Sequence, residues 1–282
     1  MVYKPKDDEI LYHYCSAETF LAICTGKKLR FSDLFSMNDY QEVHWGNAVW
    51  LEVANSLIEE VGYEFVDTID EIFHVTGIFG LLVACCFSLD GDTLSQWRAY
   101  ADDGKGYCIG FKARELTQMS VRPLRVCYDK TEQINICNKL IRALHIAESQ
   151  SDEKYSSSFR TLCHLIRFDL AAFKNPAFIE EKEIRLIHTL DLLPSNKSLK
   201  LSDAGGKHFG VEYGGEQVQF RMNDHVPVPF IDMSFISNDG KCIIQEVILG
   251  PKNESSLTNI SVFLETLGLE NVNVRRSVAS YR

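Results

Sequence analysis

The chain has 282 residues, of which 45% are hydrophobic and 24% are charged, and 29 basic against 39 acidic side chains give a formal net charge of −10. This composition is that of a soluble globular protein with enough apolar residues for a sizeable core. The acidic balance disfavours a protein that binds nucleic acid or an anionic membrane over a broad surface, because each neutralised phosphate requires a Lys or Arg.

The nine cysteines and eight histidines are dispersed along the chain, and no C-x-x-C pair occurs. Such a pattern is typical of a reduced, cytoplasmic protein, and no short spacing predicts a metal site. The N-terminus is polar and has no apolar stretch like that of a signal peptide. The longest apolar run, 78–87, is too short to span a bilayer and is predicted to be a buried strand.

The predicted elements alternate between strands and helices along the whole chain. Ser16 is a suitable N-cap for a short helix over 17–25, and Gly26 is expected to end that helix in the left-handed conformation. Glycines within 205–215 indicate a loop or hairpin. The predicted strands are 11–14, 29–32, 81–88, 107–111, 124–128, 183–190, 243–249 and 272–276. The remaining predicted helices are 41–61, 65–75, 94–101, 132–149, 158–173 and 255–267.

The order of these elements predicts the fold class. Strands from both halves of the chain are interleaved with helices, and no linker, internal repeat or low-complexity segment separates them. We therefore expect residues 1–282 to form a single α+β domain with a mixed, largely antiparallel sheet. Helical insertions are expected at about 41–75 and 132–173.

The sharpest chemical signal is the sequence E-K-E-I-R at 181–185, at the start of an apolar, strand-like run. In an extended chain Glu181 and Glu183 would point to the same side of the sheet, with Cα atoms about 6.5–7 Å apart. Two carboxylates on one face suit a site that stabilises positive charge. The alternative is a solvated acidic strand end in which these glutamates pair with Arg185.

A second candidate is His13 in L-Y-H-Y, which lies on the strand face opposite Tyr12 and Tyr14. A histidine in a strand can hydrogen-bond a sugar hydroxyl as donor or acceptor. The alternative is a core histidine whose hydrogen bonds are satisfied within the protein.

A third group of candidates follows the buried strand that ends in C-F-S. Ser88 could act as a nucleophile only beside a base, and no G-x-S-x-G motif surrounds it. Trp97 and Tyr100, at positions i and i+3, share a helix face and could flank a flat aromatic ligand, although core packing is the alternative. No G-x-G-x-x-G and no G-x-x-x-x-G-K-[S/T] motif supports a Rossmann unit or a P-loop.

Several motifs occur in order along the chain: L-Y-H-Y-C-S, F-S-M-N-D-Y-Q-E, C-F-S with W-R-A-Y and G-Y-C-I-G-F, F-I-E-E-K-E-I-R-L-I, and V-I-L-G-P. Together, from residue 11 to about 251, they resemble the bacterial domain-of-unknown-function family 2971. Members of that family are associated with phage-defence and abortive-infection loci. Its order of a histidine strand, a serine strand and a glutamate strand is similar to that of ADP-ribosyltransferases, whose split antiparallel sheet grips NAD.

This similarity implies roles for the candidate residues. His13 matches the histidine that holds a ribose of NAD, and Ser88 matches the serine of the second strand. Glu183 matches the glutamate that engages the nicotinamide ribose, while Glu181 matches an upstream glutamate that orients the acceptor. Among further NAD-binding candidates are Tyr14, Trp97 and Tyr100, the last two as rings that stack on nicotinamide. Phe178 departs from the wider family, which often has Trp before the glutamate pair.

The resemblance therefore implies an NAD-consuming, ADP-ribosyltransferase-like enzyme, a phage-defence or toxin effector that modifies an unknown macromolecular acceptor. Three alternatives stay open. An NAD glycohydrolase would use the same site with water as the acceptor, and a sensor or interaction module would bind a nucleotide without turnover. A nucleic-acid-processing effector is disfavoured by the charge of −10. The enzyme hypothesis requires His13, Ser88 and Glu183 to converge on one cleft.

Overall fold

The computed structural model describes residues 1–36, 40–194, 199–236 and 242–281, and their side chains except at 40–43, 76–79, 193 and 194. Asn38 and Asp39 of the F-S-M-N-D-Y-Q-E motif lie outside these ranges. The strands are β1 Ile10–Cys15, β2 Lys28–Asp33, β3 Gly80–Ser88, β4 Tyr107–Lys112, β5 Arg122–Arg125, β6 Glu183–Pro194, β7 Leu199–Ser202, β8 Gly206–His208, β9 Val211–Tyr213, β10 Gln219–Asn223, β11 Val226–Ser234, β12 Ile244–Leu249 and β13 Asn273–Arg276. The α-helices are α1 Ala17–Gly26, α2 Tyr40–Val61, α3 Tyr63–Phe79, α4 Leu94–Tyr100, α5 Ala113–Leu116, α6 Lys130–Ser149, α7 Ser157–Leu170 and α8 Leu257–Thr266.

The strands form one large mixed sheet and a small hairpin. In the large sheet the order is β10-β11-β2-β3-β1-β4-β12-β13, with β6 on β3 and with β5 and β7 on β6. Its described strand pairs are antiparallel apart from the parallel pair β12–β13. The separate hairpin pairs β8 with β9, where glycines had indicated a turn. The predicted α+β class with a largely antiparallel sheet is confirmed.

The sheet divides at β3. On one edge β3 pairs with β6 along its whole length, from Gly80 opposite Asp191 to Ser88 opposite Glu183. On the other edge β2 pairs with the middle of β3, and β1 reaches β3 only where Tyr12 lies opposite Ser88. Since β1 and β2 share one edge of β3, they diverge from each other. This divergence along 83–88 of β3 is referred to as the fork.

Helices cover both faces of the sheet. On one face α1 and α8 pack against the sheet through a core that includes Phe20, Leu29 and Leu264. On the other face Phe168 of α7 packs against Ile187 of β6. The remaining faces of α2, α3, α6 and α7 form a second, helical core, so the two predicted insertions pack on each other. In α2 the apolar side chains recur at helical spacing and are buried at Trp50, Val53, Ala54, Leu57 and Val61.

Several local details differ from the sequence predictions, among them the helix α5, which had no predicted counterpart. The Ser16 cap is present, with its hydroxyl accepting from the Thr19 N–H, but the left-handed residue is Lys27 and not Gly26. The strand predicted at 124–128 covers Arg122–Arg125. Strands β7, β10 and β11 had no predicted counterpart, and β11 supplies the neighbour of β2.

Candidate functional site

The fork opens into a cavity of about 940 Å³. This lies within the range of about 300–1,000 Å³ that is common for small-molecule sites. One wall is formed by β1, α1 and β2, the floor by β3, and the opposite wall by α4 and the segment that leads into β6. The structure brings His13, Ser88, Tyr100, Glu181 and Glu183 to this one cavity.

His13 lies on the β1 wall of the cavity. Its Nδ1 is 3.0 Å from the carbonyl oxygen of Cys86, and its ring centroid is 5.5 Å from that of Phe87. Because a carbonyl can only accept, Nδ1 carries the hydrogen, and Nε2 of the neutral ring is an acceptor. Burial lowers the pKa of His13, an effect that the Cys86 carbonyl partly opposes. Burial thus favours the neutral ring, the Cys86 carbonyl selects its tautomer, and in that tautomer Nε2 can accept from a hydroxyl.

The two glutamates reach the cavity from different backbone conformations. Glu181 is the last residue of a 3₁₀ helix, Pro176–Glu181, and Glu183 is the first residue of β6. Between them Lys182 is left-handed, with φ of 46°. The strand predicted from residue 183 does begin at Glu183, but the extended geometry considered for both glutamates does not occur, because the turn at Lys182 separates them. Their carboxylates nevertheless converge, since both accept from the same ammonium group.

That ammonium group belongs to Lys174, whose side chain is 2% exposed. Its Nζ donates to Glu181 Oε2 and, at 3.1 Å, to Glu183 Oε2. Arg185 makes a two-pronged contact with Glu183, from Nε at 2.8 Å and from Nη2 at 3.1 Å. Two carboxylates and two cations thus form a cluster of zero net charge at the base of the cavity. The pairing with Arg185 was the alternative expectation, but Glu183 is buried and not solvated.

Within the cluster the pKa values of the two glutamates shift in opposite directions. Burial alone would raise the pKa of Glu183, but Arg185 and Lys174 outweigh burial and lower it to about 2. For Glu181 burial is the stronger effect and its pKa is raised, with Lys174 opposing the rise and Glu183 adding to it. Glu183 is therefore negatively charged at every physiological pH, whereas the ionisation of Glu181 depends on its contact with Lys174.

The hydroxyl of Ser88 connects the segment of the glutamates to the loop that follows β3. Its Oγ donates to the Glu181 carbonyl at 2.7 Å and accepts from the Asp90 N–H at 3.1 Å. The adjacent Leu89 N–H donates to the Lys182 carbonyl at 3.1 Å. The end of β3 is thereby fixed to the turn between the glutamates. Ser88 positions Glu181, and its hydroxyl hydrogen is engaged by the main chain rather than by a base.

The predicted aromatic candidates separate in the structure. Tyr100 faces the cavity and donates from its hydroxyl to Glu181 Oε1 at 2.9 Å. Trp97 does not line the cavity: it is 0% exposed, and its Nε1 donates to Asp92 at 2.7 Å. Tyr14 borders the cavity but packs edge-on against Trp97, with its hydroxyl bonded to the main chain of 90 and 93. Of the proposed stacking pair, only Tyr100 is placed to touch a ligand, because Trp97 belongs to the core.

A comparison with known protein families assigns part of this site. Residues 96–186 match the family of unknown function DUF2971. The DUF2971 match begins in α4 and ends in β6, so it contains Tyr100, Lys174 and both glutamates, while His13 and Ser88 precede it. No curated protein and no solved structure gives a significant match to the chain. The carboxylate wall of the cavity thus lies within the stretch that matches DUF2971, referred to below as the DUF2971 part.

Within the DUF2971 match lies the site residue that sequence reasoning missed. Lys174 stands in no motif and follows the last turn of α7, so only the tertiary structure shows that its ammonium reaches the glutamates. Gln133 of α6 was also missed. It is fully buried, and its Nε2 donates to the carbonyls of Cys127 at 2.6 Å and of Lys174 at 2.9 Å. A Gln on an otherwise apolar helix face is the signal that could have marked a buried polar network.

The wall opposite the DUF2971 part carries the other charges of the cavity. Arg30 of β2 makes a bidentate pair with Asp232 of β11, at 2.9 and 3.1 Å, and lies over the ring of Phe230. Lys28 and Arg221 also line this side. Glu18 of α1 lines the same wall, so this basic rim of three cations also carries the carboxylates of Glu18 and Asp232.

No group of three or more His, Cys, Asp or Glu side chains in the described parts of the chain could hold a metal ion. All nine cysteines lie within those parts, and each is a free thiol. Among the described helices, none is both long enough and apolar enough to cross a membrane.

Proposed function

We propose that the protein is an NAD-consuming enzyme similar to ADP-ribosyltransferases, which transfers ADP-ribose to a macromolecular acceptor. The observation that carries the proposal is the meeting of His13, Ser88, Glu181 and Glu183 at one cavity, although they come from separate strands and a 3₁₀ helix. The cavity lies where an antiparallel sheet divides, which is also where the resemblance places the NAD site.

The chemistry of the cavity fits a reaction at the nicotinamide ribose. When the bond from C1′ of the ribose to the nicotinamide nitrogen breaks, nicotinamide leaves with the bonding electrons and the ribose becomes oxocarbenium-like. The ionised Glu183 stabilises that positive charge, which develops mainly in the transition state. His13 Nε2 accepts a hydrogen bond from a ribose hydroxyl. The acceptor nucleophile then bonds to C1′ and loses its proton.

The basic rim supports the same ligand. Lys28, Arg30 and Arg221 face the carboxylates across the cavity, and basic side chains are the partners that phosphate groups prefer. A dinucleotide offers a pyrophosphate to these basic side chains and a cationic nicotinamide ring to the carboxylate oxygens of the opposite wall, whose net charge is balanced by Lys174 and Arg185.

The test is incubation of the full chain with NAD labelled in the adenosine part and with bacterial cell extract. Released nicotinamide and label incorporated into macromolecules are both measured, for wild type, Glu183→Gln and Glu181→Gln. Glu183→Gln is expected to slow nicotinamide release by roughly 10²–10³, as removal of one preorganised electrostatic contact does. Glu181→Gln is expected to reduce incorporation and to spare hydrolysis, because water needs less orientation than a side chain or base.

Glu180→Gln is the matched control, because Glu180 is an exposed neighbour in the same 3₁₀ helix. It is expected to behave as wild type. Unchanged nicotinamide release in Glu183→Gln contradicts the assignment of that carboxylate. Release without incorporation in any extract identifies an NAD glycohydrolase that uses the same site.

A non-catalytic nucleotide-binding module is the second candidate, and one observation favours it. Both oxygens of Glu183 already accept from buried cations, so its charge is partly neutralised before any ligand binds. Calorimetric binding of NAD without nicotinamide release identifies this function.

The proposal includes a role in phage defence or as a toxin, which the family resemblance supports. Its test is expression of wild type and Glu183→Gln in a bacterial host, with cellular NAD measured before and during phage infection. Wild type is expected to deplete NAD and the variant is not. Equal NAD levels in both cultures contradict the role.

A further inference from the structure

The buried cation Lys174 lies beside the two glutamates that are proposed to face the cationic nicotinamide ring, where a second positive charge would not favour that ring. Its side chain is 2% exposed, and its Nζ lies between two carboxylates that are themselves 12% and 7% exposed. A buried ion pair stabilises little by itself, because desolvation offsets the attraction between the charges. The arrangement therefore calls for an explanation in terms of the site.

The two carboxylates do not depend equally on Lys174. Glu183 has the two-pronged contact from Arg185, which would keep it ionised without a second cation. Glu181 contacts Lys174 and the Tyr100 hydroxyl, and within the described residues Lys174 is the only cation that it contacts. Burial and the neighbouring Glu183 both favour protonation of Glu181. The contact with Lys174 opposes this protonation.

The position of Lys174 is fixed independently of the loop that carries Glu181. Its main-chain N–H donates to the Cys127 carbonyl at 3.1 Å, and its own carbonyl accepts from the buried Gln133. Gln133 Oε1 in turn accepts from Trp45 Nε1 at 2.9 Å, which connects α6 to α2. Contacts with α6, and through Trp45 with α2, thus fix the main chain from which the Lys174 ammonium extends. Glu181, seven residues later at the end of the 3₁₀ helix, contacts that ammonium.

We infer that Lys174 is a positioning residue that holds Glu181 ionised and turned towards Tyr100, beside Glu183. The inference rests on the proposed function only for the role of Glu181 in orienting an acceptor. The geometric statement, that Lys174 sets the charge and position of Glu181, stands on the contacts themselves.

The first test is the pH dependence of thermal unfolding of the full chain without ligand. Lys174→Met removes the charge with little change of length, and the double variant Lys174→Met/Glu181→Gln removes both charges. Lys182→Met is the matched control, because Lys182 lies in the same segment but pairs with Asp90 on the surface. The titratable and charged side chains around Glu181 are Lys174, Tyr100, Tyr128, Glu183 and Arg185.

Of this set, Glu181 is the group whose protonation is expected to respond to the loss of Lys174. In Lys174→Met its pKa in the folded protein rises further above its unfolded value, so stability is lost as the pH rises. We expect Lys174→Met to lower Tm by at least about 4 °C more at pH 8 than at pH 5. The double variant is expected to recover that extra loss at pH 8. Lys182→Met is expected to cause the same small change at both pH values.

An equal loss of Tm at both pH values, or no recovery in the double variant, overturns the inference. If Lys174→Met does not fold at pH 8, the double variant is still expected to fold. A double variant that also fails to fold, while Lys182→Met folds, overturns the inference as well.

The second test uses ADP-ribose incorporation and separates this inference from the proposed function. Lys174→Met and Glu181→Gln are expected to reduce incorporation by similar factors, and the double variant is expected to lose no more than either. The loss in Lys174→Met is expected to be larger at pH 6 than at pH 8, because without Lys174 a lower pH favours the protonated form of Glu181. Additive losses, or a loss independent of pH, overturn the inference. Absence of nicotinamide release from wild type overturns the proposed function alone, because the unfolding test needs no turnover.

Discussion

Glu183→Gln is expected to remove a pH-dependent part of the protein's stability. Glu183 is 6% exposed and accepts from Arg185 at 2.8 and 3.1 Å and from Lys174 at 3.1 Å. Glutamine keeps the shape of the side chain but carries no charge. The cluster then holds a buried guanidinium and a buried ammonium with one carboxylate, that of Glu181, which contacts Lys174.

The size of the loss follows from the pKa of Glu183, which is lowered from 4.5 to about 2. At 1.36 kcal/mol for each pH unit, this difference corresponds to about 3 kcal/mol. Loss of one partner from a buried ion pair is of the same size, about 3–5 kcal/mol. Because the folded pKa lies below the unfolded value, this stabilisation is complete above about pH 4.5 and is lost as the pH falls through about 2.

The assay is urea unfolding of wild type, Glu183→Gln and Glu180→Gln between pH 7 and pH 3. We expect the free energy of unfolding of Glu183→Gln to lie about 3 kcal/mol below that of wild type at pH 7, and the gap to shrink to roughly half by pH 3. Glu180→Gln, an exposed control, is expected to follow wild type. A gap below about 1 kcal/mol at pH 7, or one that does not change with pH, refutes the electrostatic account of the cluster.

Three further substitutions test the surroundings of the site. Ser88→Ala removes the 2.7 Å bond to the Glu181 carbonyl, and we expect a loss of about 1–3 kcal/mol in urea unfolding and less ADP-ribose incorporation. Unchanged incorporation contradicts the positioning role. Gly91→Ala places a Cβ 2.4 Å from the Tyr12 ring, and this overpacking is expected to lower the free energy of unfolding by about 1–3 kcal/mol. Thermal unfolding measures the loss, and an unchanged Tm contradicts the close packing. Gln133→Leu leaves the Lys174 carbonyl and the Trp45 indole N–H without these hydrogen bonds, whereas the Cys127 carbonyl keeps its bond from the Lys174 N–H. A loss of about 3 kcal/mol is expected by urea unfolding, and a neutral effect contradicts a role in holding α2 and α6 to the segment of Lys174.

Much of the fold could be predicted because its signals are local. The Ser16 cap and the apolar periodicity of α2 each depend on side chains within a few turns of one another. The strand around His13 is likewise visible as a short β-rich run. At the end of α1 the local signal is displaced by one residue, because the left-handed position is taken by Lys27 although Gly is preferred there. Strands β10 and β11 were missed because β11 contains two prolines and both strands lie partly exposed.

The candidate site was predictable in its strand residues and not in its cluster. His13, Ser88 and Glu183 lie on or at the end of strands, so their motifs could be read in order along the chain. Lys174 depends on where the chain turns after α7, and on a Gln in α6 that fixes its main chain. No periodicity encodes contacts of that kind. The turn at Lys182 was missed for the same reason, since E-K-E-I-R reads as a continuous strand.

The fork also decides when during synthesis the cavity can form. β3 ends at Ser88, but its long neighbour β6 begins at Glu183, and β2 obtains its other neighbour only from β11 at Val226–Ser234. A chain emerges from the ribosome with its N-terminal part first, so β2 has an open edge until β11 has emerged. An open strand edge can pair with other chains. A stop codon or a proteolytic cut before β11 therefore leaves the cavity unfinished, even though His13, Ser88 and Glu183 are all still present.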